Sequence, residues 1–100
     1  MPYNYDVLPR AQRHLEESIE YYQLHSDTAA SNFIKNFKNA LATICNDSLT
    51  TRQSYRGFFH YYLNKFPFTI IYSINEFKNL VTIRAIYHQK RNPKGKYRKL

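Results

Sequence analysis

From Leu80 to His88 the chain reads LVTIRAIYH. Nine residues rich in β-branched, aliphatic and aromatic side chains, without Gly or Pro, specify a strand rather than a helix. Alternation puts Val81, Ile83, Ala85 and Tyr87 on one face and Arg84, Ile86 and His88 on the other. The first set suits a core covered by other elements. Arg84 and His88 are then expected on the opposite, open face, about 13 Å apart at ~3.3 Å per residue. The segment that follows is the most basic in the chain: residues 88–100 hold six Lys or Arg and no acid.

Working outward, FPFTIIYSI (residues 66–74) is a second strand with Phe68, Ile70, Tyr72 and Ile74 on one side. Pro67 marks its start, because proline cannot donate inside a ladder. NEFKN (residues 75–79) is a polar turn of hairpin length, and FFHYYL (residues 58–63) is a third β-prone run. Three strands on short connections form an antiparallel meander. Upstream the period changes. Ala11, Leu15, Ile19 and Tyr22 make an apolar stripe on a helix that starts near Pro9, with Glu16, Glu17 and Glu20 on its solvated side. HSDT (residues 25–28) breaks that stripe and offers Ser26, Asp27 or Thr28 as a cap. A second helix carries Ala30, Phe33, Ile34, Phe37, Leu41 and Ile44 on one face. YNYDV at residues 3–7 alternates as a half-buried strand. The expected order is β-α-α-β-β-β, an α+β domain in which a helical hairpin packs on one face of a small antiparallel sheet.

One hundred residues form one domain with one core. Ten Tyr and seven Phe suit strands and half-buried faces. No apolar run approaches the ~20 residues of a membrane span, and no charged-then-apolar signal segment opens the chain. Cys45 is alone, which fits a reducing cytoplasm and a small helix-packing role. The net charge of +8 is lopsided: residues 1–51 carry four basic and six acidic side chains, residues 52–100 eleven basic and one acidic. Such a distribution fits an anionic partner, nucleic acid or an acidic protein segment, against the plainer reading of a solvated basic face.

The element order, Phe66-Pro67-Phe68 and the ending IRAIYHQKRNP resemble the RelE/ParE superfamily of bacterial type II toxin–antitoxin toxins over nearly the whole chain. Phe66-Pro67-Phe68 resembles that family's Phe-Pro-Tyr. His88, Arg91 and Pro93 resemble its His-x-x-Arg-x-Pro. The resemblance implies a small cytoplasmic toxin, without cofactor, held inactive by a cognate antitoxin with an acidic, partly disordered segment. It implies two possible targets. RelE-like members enter the ribosome and cleave mRNA, whereas ParE-like members poison DNA gyrase and are not nucleases.

RNA cleavage by the 2′-hydroxyl needs a base, cations on the phosphate and an acid, and no metal. His88, Arg91, Arg84 and Tyr97 are the candidates for that chemistry; Arg56, Lys65, Lys90, Lys94, Lys96 and Arg98 are candidates for holding nucleic acid or a target protein. Each has a plainer reading: His88 as a strand end, Arg56 and Arg84 as partners of Glu76 or of carbonyls, Tyr97 as part of a loose tail. RelE also carries an Arg just before the core hairpin, where Asn64 aligns here with only Lys65 beside it. The resemblance therefore favours the ParE-like, plasmid-stabilisation branch, with the RelE-like nuclease as alternative and a non-toxic binding module on the same fold as a third reading. Metal binding is not expected, since His14, His25, His60 and His88 have neither helical i,i+4 spacing nor a Cys partner. Among Phe58, Phe59, Tyr61 and Tyr62, most are expected in the core and two on the open sheet face.

Overall fold

The structure, a computed structural model, describes residues 3–47, 53–55 and 57–89. Strand β1 (Asn4–Val7) leads into helix α1 (Pro9–Gln23), then α2 (Asp27–Asp47) and four strands: β2 (Gln53–Tyr55), β3 (Phe58–Tyr62), β4 (Phe68–Asn75) and β5 (Leu80–His88). The sheet order is β1-β5-β4-β3-β2. The expected order of elements is present, with the short β2 added at one edge. The pairs β2–β3, β3–β4 and β4–β5 are antiparallel. β1 pairs with β5 in parallel, so the sheet is mixed rather than wholly antiparallel. No tight turn joins β1 to its neighbour; the helical layer does, and that leaves its direction free of hairpin constraint.

Local chemistry explains the boundaries. Pro9 sits in the first turn of α1, where its missing N–H costs nothing. Ser26 Oγ accepts a hydrogen bond from Ala29 N–H at 2.9 Å and so caps α2 as the sequence suggested. Between β4 and β5, Asn75 Oδ1 accepts from Lys78 N–H at 3.1 Å, and Asn79 takes a left-handed backbone with φ of 54°, which Asn tolerates. Gly57 (φ 84°) performs the corresponding reversal before β3.

The core lies between the helical hairpin and one sheet face. Phe33, Phe37, Leu41, Ile44 and Cys45 of α2 meet Phe68, Ile70, Tyr72, Val81, Ile83 and Ile86 of the sheet. Tyr22 and Phe33 pack on Phe66 and Phe68, all at ring separations of 5.2–6.3 Å. Burial raises the Cys45 thiol above its ordinary range, so it stays protonated and packs as an apolar group. The expected half-buried pattern of β1 holds at Tyr3 and Val7 and fails at Tyr5, which is 54% exposed. The edge position explains this: among the described residues, no strand lies outside β1.

Candidate functional site

The register of β4 and β5 decides where the charged groups of β5 point. Phe68 pairs with His88, Ile70 with Ile86, Tyr72 with Ile83 and Ile74 with Val81. Between Ile71 and Tyr72 the register shifts: Ile71 pairs with Ala85 and Tyr72 with Ile83, leaving Arg84 as an extra residue. This is a β-bulge, and one extra residue inverts the alternation beyond it. Val81 and Ile83 face the helices as expected. Past the bulge Ile86 and His88 also face the helices, while Ala85 pairs with Ile71 on the far side.

The expectation that Arg84 and His88 share an open face is therefore overturned. The ring contacts agree. His88 stands edge-on to Phe68 at 5.1 Å, inside the helix-covered layer. Arg84 lies over the Phe58 ring at 5.0 Å, and Phe58 belongs to the far face because its neighbour Phe59 stacks on core Tyr72 at 5.5 Å. Ala85 is likewise moved off the helix-facing side by the same bulge, whereas the Tyr87 ring, beyond the part of β5 that β1 pairs with, lies 5.2 Å from that of His14 on α1.

Two groupings result. On the helix side, His14, Glu17 and Ser18 of α1 face Phe68, Ile86, Tyr87 and His88 across a cleft of about 340 Å³. His14 Nδ1 accepts a hydrogen bond from Ile86 N–H at 3.1 Å, and its ring lies 5.2 Å from that of Tyr87. Burial lowers the His14 pKa below its ordinary 6.5; Glu17 pulls it up, while Arg10 and Arg13 push it further down. On the far side, the β3–β4 register aligns His60 with Ile71 and Tyr62 with Thr69. This face gathers Phe58, His60, Tyr62, Thr69 and Arg84, with the His60 and Tyr62 rings 4.8 Å apart. The expectation that two of the four β3 aromatics leave the core is met by Phe58 and Tyr62, while Phe59 and Tyr61 pack against the core.

The Phe66-Pro67-Phe68 signature has a structural role. Pro67 C=O accepts from Gln89 N–H at 2.7 Å and Phe68 C=O from Gln89 Nε2–H at 3.2 Å, tying the start of β4 to the end of β5. Lys65 is exposed in the connection between β3 and β4. Arg56, Lys90, Arg91, Lys94, Lys96, Tyr97 and Arg98 lie outside the described residues. Sequence reasoning missed His14 as the partner of Ile86 and His60 as the far-face imidazole. The signal for His14 was its place one turn from the apolar stripe; the signal for His60 was its alternation with Phe59 and Tyr61.

Residues 5–93 match the family described as the ParE toxin of the type II toxin–antitoxin system, parDE. The chain belongs to the ParE toxin family. No protein of curated function matches it. Among solved structures, this ParE-family chain is similar to one from the chromosomal ParDE toxin–antitoxin system of P. aeruginosa: TM-score 0.74 and 12% identity over 86% of this chain and 95% of that one. It is also similar to a mutant of the E. coli toxin RelE in the free state, with TM-score 0.65, 13% identity and full coverage of both chains. A third is from the RelBE2 toxin–antitoxin complex of Mycobacterium tuberculosis, with TM-score 0.61 and 16% identity over 88% and 99% of the two chains. At these identities the structures share the fold. Among the described residues, no helix is long and apolar enough to cross a membrane.

Proposed function

We propose that this ParE-family toxin acts in the cytoplasm on DNA gyrase, arresting growth until a cognate antitoxin binds it through an acidic, partly disordered segment. What carries the target is the match of residues 5–93 to the ParE toxin family, and the bulge at Arg84 is in keeping with it. An in-line attack on RNA needs its base and its phosphate clamp on one surface. Arg84 and His88 face opposite sides of the sheet, with His88 held beside Phe68 under the helices. The antitoxin reading draws on the charge of +8, on the toxin–antitoxin complex of the similar RelBE2 and on the toxin–antitoxin system to which the similar ParDE chain belongs. An acidic segment folding onto a basic toxin recovers in contacts what its ordering costs.

Incubating the purified protein with gyrase, ATP and plasmid tests the target. The expected outcome is linear plasmid trapped as a gyrase cleavage complex, with messenger RNA on programmed ribosomes left whole. Messages cut in the ribosome while gyrase works normally would replace this reading with the RelE-like one. One observation favours that second reading: Arg84, His60 and Tyr62 share the far face, where a guanidinium could hold a phosphate and an imidazole move a proton. A non-toxic binding module is the third reading. Replacing His88 and Arg91 with Ala speaks to it: unchanged toxicity with a lowered melting temperature returns both residues to a structural role.

A further inference from the structure

β1 covers only part of β5. Its four residues pair with Leu80–Ile83, Leu8 N–H reaches Ile83 C=O at 3.0 Å, and Pro9 then turns the chain into α1. From Arg84 onward β1 no longer pairs with that edge of β5. A buried strand-edge N–H without a partner costs about 1–3 kcal/mol, and here α1 supplies the partner. His14, in the second turn of the helix, accepts the Ile86 N–H with Nδ1 at 3.1 Å. Ser18 Oγ donates to His14 C=O at 2.8 Å, and the Tyr87 ring packs 5.2 Å from the imidazole. This hydrogen bond joins two elements 72 residues apart and closes one side of the cleft that contains His88.

A protonated imidazole carries N–H on both nitrogens and cannot accept. We propose that His14 is a proton-operated latch: unprotonated Nδ1 pins α1 to the free edge of β5, and protonation releases the pin, freeing Ile86 N–H and opening the cleft beside His88. The groups around the latch are Glu17, Arg10 and Arg13 of α1 and Tyr87 and His88 of β5; β4 contributes the uncharged Phe68. Burial and the two arginines keep the latch closed at neutral pH, against the pull of Glu17. The sign follows from linkage. The native pKa lies below the ordinary 6.5 of an unfolded chain, so between the two the unfolded state binds more protons. The latch's contribution is complete above 6.5 and is lost as pH falls from there toward the native value. This inference does not depend on which target the toxin has.

Amide hydrogen exchange of the full-length chain, corrected for intrinsic rates, tests it directly. Protection of Ile86 is expected to fall about tenfold or more between about pH 7.5 and pH 5, while Ile70 and Ile71 in the centre of β4 keep theirs. His14→Asn, whose Oδ1 accepts without titrating, is expected to hold Ile86 protection level across the same range. A His88→Gln variant is expected to keep the wild-type step. Unchanged Ile86 protection in the wild-type chain overturns the latch. So does a loss shared equally by β4, which is global unfolding, or a step that vanishes with His88→Gln instead. Should His14→Asn fail to fold, the wild-type profile and the His88→Gln control still decide.

Discussion

The hydroxyl of Thr69 lies in a residue only 1% exposed, on the sheet face away from the helices, and has no hydrogen-bond partner among the described residues; Arg84 Nε, on the same face, is also buried without one among them. Two polar atoms held dry and unpaired on one surface cost stability that an apolar replacement recovers. Thr69→Val keeps the shape and removes the hydroxyl, so it is expected to stabilise the fold by about 1 kcal/mol, a rise of ~4–8 °C in melting temperature for a domain this size. Thermal unfolding checks this, and a fall in melting temperature would mean that the hydroxyl is satisfied. At the same scale, His14→Ala orphans the Ile86 N–H and is expected to cost about 1–3 kcal/mol at neutral pH. It should also flatten the decline of stability below 6.5, because the group whose native pKa is lowered is gone. Equilibrium unfolding at a series of pH values reads both effects.

Phe33 is the element-scale keystone, since its ring meets Tyr22 of α1 and both Phe66 and Phe68 at the start of β4. Phe33→Ala removes a fully buried ring where three elements join and is expected to cost about 3–5 kcal/mol, measured by denaturant unfolding. Helices and long strands were legible because burial on one side leaves a period in the sequence: Ala11 and Ile19 on α1, Phe33 and Ile44 on α2, Phe68 to Ile74 on β4. Three residues of β2 leave no period to read, and nothing local tells that β1 runs parallel to β5. The bulge left one trace. Val81, Ile83 and Ile86 are all core residues spaced by two and then three, and an isoleucine out of phase is what one extra residue produces. Strict alternation sets that spacing aside and sends Arg84 and His88 to the same side. The residues of the candidate site were thus visible as chemistry, while their faces depended on a backbone irregularity that periodicity averages away.

For the whole molecule, the helical hairpin takes one side of the sheet, and the bulge then divides the polar groups of β5 between a covered cleft and the far face. His88 and His14 belong to the cleft; Arg84, His60 and Tyr62 belong to the far face. With Arg84 and His88 so divided, β5 alone brings no base and clamp to one surface, in keeping with the gyrase target proposed above. Induced expression of the chain in growing bacteria, with protein synthesis and chromosomal breaks followed together over the first minutes, tests this most directly. The expected result is broken DNA accumulating while protein synthesis continues at the uninduced rate. Translation collapsing first, with messages cut inside codons and the chromosome intact, would contradict it.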